Sequence, residues 1–275
     1  MIEVLDDNRV FLDYGPVQMV LDIYRDGDRW VEMAEEIAEF VINEFESMIP
    51  WKDELKKKDL SLENLPPIAR KMAESVSIIS GELSPMAAVA GTFSDIAMEK
   101  ALKEGADRAI INNGGDIALV DTRQRTINVA LPLGGENQYV KIPIKASQGI
   151  RGVCTSGLGG RGFTKGVASA AMVLASNASV ADACATYIGN HTCVDSSKVK
   201  KLDANKLDAQ TDIPGEKVTV EIGSLSEKEI NKALLKGLDA GEKLYQENKI
   251  KGLALEVAGE IVVLPDELPI EILKS

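Results

Sequence analysis

A carboxylate and a hydroxyl four residues apart are the clearest candidates for chemistry in this chain. Asp182 and Thr186 lie in residues 176–190, SNASVADACATYIGN, which predict a helix with Ser179 as its N-cap and Asp182 at the third helical position. Residues four apart share one helix face, and their hard oxygens suit Mg²⁺, completed by carbonyls, water and a ligand phosphate. Alternatively, Asp182 only completes the cap and complements the helix dipole.

A glycine-rich segment precedes this helix. Residues 152–166 read GVCTSGLGGRGFTKG and contain six glycines together with Arg161 and Lys165. Backbone amides and the two cations of such a segment can converge on an anion, whereas the alternative is a surface loop that holds no ligand. The segment has neither the GKS or GKT of a Walker loop nor a GxGxxG before a helix.

A second glycine turn follows a short apolar strand at residues 109–111. It contains Asn113, Gly114, Gly115 and Asp116. Glycine allows a ligand to approach the backbone closely, but Gly and Asp are also ordinary residues of tight turns. On these residues alone, both interpretations stay open.

The cysteine thiols and the single histidine are weaker candidates for chemistry. Cys154 lies beside the glycine-rich segment near Arg151, so a lowered thiol pKa and inert buried packing are both open interpretations. His191, the only histidine, excludes motifs with two histidine ligands and is more simply a helix-end residue. Three cysteines without a CxxC pair indicate reduced thiols rather than a disulfide framework or a zinc site.

Composition excludes some classes of function. The formal net charge is −12, and so acidic a chain repels nucleic-acid phosphates. The first fifteen residues carry three aspartates and no apolar signal region, and no stretch is apolar over the roughly 18 residues of a membrane span. We therefore expect a cytoplasmic protein that binds neither nucleic acid nor membrane.

Hydrophobic periodicity predicts an α+β protein. The length of 275 residues permits one large domain or two small ones, and we expect one domain over residues 1–275. Alternating apolar residues predict a half-buried strand within residues 11–24, and residues 29–47 have helical spacing. The remaining predictions are helices over residues 66–76, 91–104, 176–190 and 226–247, strands over 109–111 and 218–222, and hairpins over 126–144 and 253–264. The domain thus comprises a strand–helix part (1–64), a glycine-rich core (65–193) and a strand–helix–hairpin part (216–265).

Three local signals support these elements. Gly134-Gly135 predicts the turn of the first hairpin, and Pro143 predicts an edge position for its second strand. Ser226 and Glu229 form a capping box that opens the last helix.

Taken in order, the motifs resemble those of the ApbE family, FAD-dependent protein flavin transferases. Asn113-Gly114-Gly115-Asp116-Ile117 is similar to the NxGGDI turn of that family, and Thr155-Ser156-Gly157 is similar to its TSG strand. Residues 181–186, ADACAT, are similar to its ADALAT helix start. The resemblance implies an α+β fold related to the T-fold, with mixed or antiparallel sheets packed against helices.

The resemblance also implies ligands and site residues. In the family, an aspartate, a threonine and a backbone carbonyl hold Mg²⁺ against the FAD phosphates, which implies Asp182, Thr186 and the carbonyl of Ala87 here. A metal on the pyrophosphate makes AMP a better leaving group while FMN passes to a threonine or serine of an acceptor protein. We therefore expect a small phosphorylated ligand, FAD or FMN, bound with Mg²⁺.

Two departures from the family pattern shift this expectation. Residues 86–91, MAAVAG, stand where the family has GGIAKG, so Ala90 replaces the lysine, and the HIIDP motif after TSG is replaced by the glycine-rich segment. The chain therefore resembles the cytoplasmic, uncharacterised ApbE-like branch of archaea and anaerobic bacteria. That resemblance suggests an association with sulfide assimilation, and hence a second hypothesis in which Cys154 carries sulfur without flavin.

Overall fold

The computed structural model describes residues 1–79, 81–132 and 138–274. Within these ranges, runs of strands and runs of helices follow one another along the chain. The strands are β1 (Ile2–Val4), β2 (Val10–Tyr14), β3 (Val17–Arg25), β4 (Asp28–Arg29), β5 (Arg108–Asn113), β6 (Asp116–Asp121), β7 (Ile127–Pro132), β8 (Gln138–Ile144), β9 (Gly152–Ser156), β10 (Ala170–Ala175), β11 (Val199–Asp203), β12 (Lys217–Ile222), β13 (Gly252–Val257), β14 (Glu260–Leu264) and β15 (Glu271–Lys274).

Helices fill the connections between the sheet strands. They are α1 (Val31–Met48), α2 (Lys52–Leu55), α3 (Pro67–Ser77), α4 (Val89–Lys103), α5 (Ala178–His191), α6 (Ala204–Leu207) and α7 (Glu227–Gln246), with short 3₁₀ helices at Ile49–Trp51, Pro85–Ala88 and Ala146–Gln148. In the part of the chain described, none of these helices has the length and apolar character that a bilayer span requires.

A large antiparallel sheet joins the two ends of the chain. Its strand order is β1-β2-β3-β5-β6-β9-β10-β13-β14, and β4 pairs with β3. Two smaller sheets, β15-β8-β7 and β11-β12, complete the α+β architecture. The predicted fold class is therefore confirmed.

Both faces of the large sheet are covered by other elements. Helices α1, α3, α4, α5 and α7 contribute to the main hydrophobic core on one face, while β7 and β8 cover the other face with a second core. Side chains alternate along each strand, so Ile117 and Leu119 of β6 enter the second core and Ala118 and Val120 face the helices. Asp116 therefore points toward the helical layer.

Two strand predictions need correction. Residues 11–24 form not one strand but β2 and β3, which turn at Gly15, a residue with φ of +58°. The edge position expected for Pro143 is wrong for β8 as a whole, because β8 lies between β15 and β7. However, β15 pairs only as far as Lys141, so at Pro143 the strand has a partner on one side only, which proline tolerates.

Other local predictions are confirmed. Helix α7 opens with the capping box, in which the Ser226 amide donates to the Glu229 carboxylate at 2.7 Å. The hairpin of β13 and β14 turns at Ala258 and Gly259, both with positive φ. Strands β7 and β8 pair antiparallel, whereas the turn expected at Gly134-Gly135 lies outside the described residues.

Candidate functional site

The site begins where two neighbouring strands face the helices. Strands β6 and β9 pair antiparallel with Ile117 opposite Val153, and continuing that register places Asp116 opposite Cys154. Cys154 belongs to the core on the helical face. The carboxylate and the thiol are therefore neighbours beneath the first turns of α4 and α5.

Helices α4 and α5 approach each other unusually closely above these strands. A Cβ on Gly91 would lie 2.2 Å from the carbonyl oxygen of Ala178 and 2.8 Å from the Cβ of Asp182. Gly152 in β9 is equally constrained, because its Cβ would lie 2.2 Å from the Asn177 carbonyl. Glycine at both positions is what allows the start of α5 to pack against α4 and the sheet.

Each helix supplies a carboxylate to the N-terminus of the other. The Gly91 amide in the first turn of α4 donates to Asp182 Oδ2 of α5 at 2.9 Å. In return, Asp95 of α4 accepts the Ala178 and Ser179 amides of α5 at 2.8 and 2.9 Å, and the Ser179 hydroxyl at 2.8 Å. Helix N-termini carry unpaired amides and a positive partial charge, so this reciprocal capping places two carboxylates at favourable positions.

Asp95, Asp116 and Asp182 form what we call the carboxylate cluster. Burial raises the pKa of Asp182 well above its usual range, and the nearby Asp116 carboxylate raises it further. Burial also raises the pKa of Asp116 to about 7, although the Cys154 thiol, the Thr155 amide and Arg161 favour its charged form. The pKa of Asp95 is raised by burial despite the nearby Lys71. Three acids thus share a region poor in water, where ionisation is costly.

One oxygen of the cluster has no partner. Asp116 Oδ1 is buried and accepts no hydrogen bond, and the buried hydroxyl of Thr92 in α4 is also unpaired. Buried polar atoms are normally hydrogen-bonded. The cluster therefore has spare acceptor capacity and three acids whose ionised forms lack compensation, and a bound cation would supply both a partner and that compensation.

Cys154 is not a reactive thiol in this structure. It has no exposed surface and donates to the Ala178 carbonyl at 3.2 Å. Burial and then the neighbouring Asp116 and Asp182 raise its pKa well above the ordinary value. Since the thiolate is the nucleophile, the sulfur-carrying hypothesis for Cys154 has no support from this geometry.

The predicted N-cap of α5, Ser179, is wrong by two residues. The N-cap is Asn177, whose Oδ1 accepts the Val180 amide at 2.8 Å, and Ser179 lies inside the helix. Asp182 is therefore not the third helical residue and does not cap its own helix. Its capping contact is instead with α4, which no spacing in the sequence indicates.

Arg161 approaches the cluster from the side of the glycine turn and favours the charged form of Asp116. A Cβ on Gly114 would lie 2.0 Å from the Arg161 guanidinium, and Arg161 also approaches the Gln18 side chain at 3.3 Å. Gly114 has φ of +65°, a conformation that glycine adopts without strain. The glycine turn and the glycine-rich segment thus meet through one arginine at the edge of the site.

The neighbouring turn residues have structural partners as well. Asn113 is buried and donates to the Ala90 carbonyl at 3.3 Å, and the Gly115 amide donates to Asn112 at 2.9 Å. The Ser94 hydroxyl of α4 donates to the Asp116 carbonyl at 2.7 Å. These bonds fix the turn against the start of α4.

The remaining predicted residues are divided between this site and its surroundings. Ser156 faces α5, since a Cβ on Gly189 would be 3.7 Å from its hydroxyl, whereas alternation along β9 turns Thr155 to the opposite face. Gly157, with φ of +127°, ends β9. Lys165 does not join the cluster; its ammonium pairs with Glu216 at 3.1 Å.

Two expected metal ligands lie beside the cluster. Thr186 is half-buried, one turn beyond Asp182 on α5, and Ala87 is half-buried in the 3₁₀ helix that leads into α4. Among the residues that the structure describes, no group of three or more His, Cys, Asp or Glu forms a metal site. Any cation here would therefore depend on hydroxyl, carbonyl and ligand oxygens in addition to one or two carboxylates.

The family of the chain follows from comparison with known sequences. A family model described as AbpE bacteria matches residues 2–263. The chain belongs to this ApbE-like family, and the predicted resemblance is confirmed.

Several archaeal proteins are similar in sequence. The UPF0280 protein of Methanosarcina barkeri is 36% identical over 141 residues, 50% of this chain and 54% of that protein. The UPF0280 protein of Methanosphaerula palustris is 33% identical over 179 residues, 63% of this chain and 73% of that protein. The chain thus spans about half the length of the Methanosarcina protein and nearly three quarters of the Methanosphaerula protein.

Two solved structures match this chain over most of its length. The apo form of the flavinyl transferase ApbE from Pseudomonas stutzeri is 12% identical with a TM-score of 0.46, covering 96% of this chain and 93% of that chain. The flavin transferase ApbE from Vibrio cholerae is 10% identical with a TM-score of 0.40, covering 96% and 97%. A likeness at these values carries no argument about the site.

Proposed function

We propose that this protein binds a flavin nucleotide through its phosphates, with Mg²⁺ at Asp182 and Thr186. The observation that carries the proposal is the carboxylate cluster, in which Asp116 has an unpaired buried oxygen and the pKa values of all three acids are raised. Membership of the ApbE-like family supports a flavin as the ligand.

The residues present fit a magnesium ion. Asp182 and Thr186 would supply a carboxylate and a hydroxyl, and the carbonyl of Ala87 a third oxygen, the hard ligands that Mg²⁺ takes together with phosphate and water. Asp116 would stand beside the ion and offset its charge. When bound, the ion would supply Lewis-acid polarisation of the ligand phosphates.

The protein's own residues have separate tasks in this proposal. Arg161 is placed to hold a phosphate oxygen at the edge of the cluster, since guanidinium groups match phosphate geometry. Asp95 holds the first turn of α5 against α4, and Asp182 follows in the next turn. Asp95 is fully buried and Asp116 and Asp182 are half-buried, so the limited access of water strengthens these electrostatic contacts.

Transfer of FMN to an acceptor protein is a further step beyond binding. The family name supports it, whereas Ala90 replaces the lysine of the family's GGIAKG segment. The step breaks the pyrophosphate bond of FAD, releases AMP and leaves FMN on an acceptor hydroxyl. AMP release in the presence of a threonine-containing acceptor protein therefore tests transfer independently of binding.

Calorimetric titration of metal-stripped protein with FAD, FMN and ADP, each with and without Mg²⁺, tests the binding proposal. The informative variant is Asp182→Asn, which keeps an acceptor for the Gly91 amide but removes the charge. We expect the parent to bind FAD more tightly with Mg²⁺, and the variant to lose that dependence.

The matched control is Asp59→Asn, because Asp59 is an exposed carboxylate outside the site. It should bind like the parent. If the Asp182 variant kept the full magnesium dependence, or if the parent bound no flavin at millimolar concentration, the proposal would be wrong.

A further inference from the structure

A cleft of about 440 Å³ opens between α5 and α7, apart from the carboxylate cluster. Its apolar lining includes Leu83 and Ala240, and the rings of Tyr187 and His191 lie together with their centroids 4.1 Å apart. Small-molecule sites commonly have volumes of roughly 300–1,000 Å³. The cleft has room for a small phosphorylated molecule, and none of the three clustered aspartates lines it.

The lining of the cleft is more basic than the chain. Its charged residues are Lys165, Lys236, Lys243, His191, Glu82 and Asp239. With the histidine neutral these give one net positive charge, in a protein whose formal net charge is −12. A cleft with the opposite sign to the rest of the surface concentrates small anions locally.

The lysines are incompletely neutralised by their protein partners. Lys236 donates to the carbonyl of Cys193 at 2.9 Å, an acceptor that leaves its charge uncompensated. Lys165 shares the single carboxylate of Glu216 with Lys58, at 3.1 and 2.8 Å. Lys243 has no carboxylate partner in the described part of the chain. An incoming anion would therefore meet cations that existing ion pairs do not satisfy.

Asn190 adds one neutral donor, whereas His191 is already engaged. The Asn190 Oδ1 accepts the Lys165 amide at 2.8 Å, so its Nδ2 remains as a donor at the cleft. His191 Nδ1 lies 2.9 Å from the Tyr187 carbonyl; since a carbonyl only accepts, the proton is on Nδ1. Its Nε2 lies 3.8 Å from the Glu82 carboxylate, so His191 adds no donor for an anion.

We propose that this cleft binds the phosphate group of a small molecule, with Lys236 and Lys243 as the principal cations. Asn190 lies eight residues beyond Asp182 on α5, about 12 Å along the helix axis. The phosphate belongs either to the distal part of a nucleotide held at the carboxylate cluster or to a separate phosphorylated molecule. The inference goes beyond the proposed function, since it requires neither Mg²⁺ nor Asp182.

The test compares three forms of the metal-free full-length protein by calorimetric titration with inorganic phosphate and with FMN. The cleft variant is Lys236→Gln with Lys243→Gln, and the matched control is Lys228→Gln with Lys232→Gln, exposed residues of the same helix that do not line the cleft. Both variants lose two charges from α7. We expect phosphate affinity to fall at least about tenfold in the cleft variant and to stay unchanged in the control, because two charge-assisted hydrogen bonds are lost.

The FMN titrations identify the source of the phosphate. A loss of FMN affinity in the cleft variant assigns the cleft to the nucleotide, whereas a loss limited to inorganic phosphate assigns it to a separate molecule. Equal affinities in all three proteins, or no phosphate binding by the parent at millimolar concentration, would overturn the inference. Phosphate binding that survives Asp182→Asn while magnesium-dependent FAD binding is lost shows that the two sites are independent.

Discussion

Replacing Asp116 by asparagine should stabilise the metal-free protein at neutral and alkaline pH. Asparagine keeps the size of the side chain and an acceptor for the Thr155 amide, but it removes the charge from a buried position beside Asp182. Residues at functional sites often reduce the stability of the fold. We expect Asp116 to be such a residue, retained for a ligand rather than for folding.

The magnitude follows from the pKa of Asp116, which burial raises from 3.8 to about 7. Because the native pKa is higher, the native state binds the proton more tightly than the unfolded state. The stabilisation that protonation of Asp116 gives the native state is fully present below pH 3.8 and is lost as the pH rises to about 7. At about 1.4 kcal/mol per pKa unit, the ionised form costs roughly 4 kcal/mol at pH 8. Asp116→Asn should recover roughly 2–4 kcal/mol of this at pH 8 and only about 1–2 kcal/mol at pH 5.

Urea unfolding monitored by the fluorescence of Trp30 and Trp51, at several pH values between 5 and 8, measures the difference. The reasoning predicts that the gain of Asp116→Asn increases with pH and levels off above pH 7, while Asp59→Asn shows no such trend. A gain that does not change with pH, or a loss of stability at pH 8, would refute it.

Three other perturbations test the geometry of the site. Gly91→Ala should lower the free energy of unfolding by roughly 2–4 kcal/mol, because its Cβ would lie 2.2 Å from a carbonyl oxygen. The control Gly189→Ala, whose Cβ has its nearest contact at 3.7 Å, should be neutral or stabilising by up to about 1 kcal/mol. Equal effects of the two substitutions in urea unfolding would contradict the close approach of α4 and α5. Asp95→Ala should lower the free energy of unfolding by roughly 2–3 kcal/mol, because α5 loses the carboxylate that caps it. The same substitution should weaken magnesium binding measured by calorimetry. Unchanged stability would show that the α5 cap is dispensable. Iodoacetamide at pH 8 should modify half-buried Cys193 but not Cys154, because burial raises the pKa of the Cys154 thiol. Peptide mass spectrometry would show which cysteine is modified. Rapid modification of Cys154 in the native protein would support the sulfur-carrying hypothesis.

Local sequence signals predicted most of the elements, because their causes are local. The capping box of α7 and the hairpin of β13 and β14 depend on residues within a few positions of each other. The error at α5 has a local cause too. Ser176, Asn177 and Ser179 can all cap a helix, and contacts from distant residues select Asn177. These are the packing of Gly152 against Asn177 and the bonds from the Ala178 and Ser179 amides to Asp95.

The carboxylate cluster was predicted in part. Motif resemblance indicated Asp116 and Asp182, but Asp95 was missed, because an aspartate inside an amphipathic helix is ordinarily solvent-exposed. The role of Asp95 depends on α4 lying against the start of α5. Asp95 contacts Ala178 and Ser179, which follow it by 83 and 84 positions in the chain. The order of strands β6 and β9, which brings Asp116 beside Cys154, is likewise a property of the whole sheet rather than of any window of sequence.

A crystal structure of the protein with FAD and Mg²⁺ would test the central claim most directly. The account predicts a metal ion with oxygen ligands at about 2.1 Å, among them Asp182 and Thr186, and FAD phosphate oxygens on the same ion. A flavin bound elsewhere, or a metal-free site in which Asp182 still contacts only the start of α4, would contradict it.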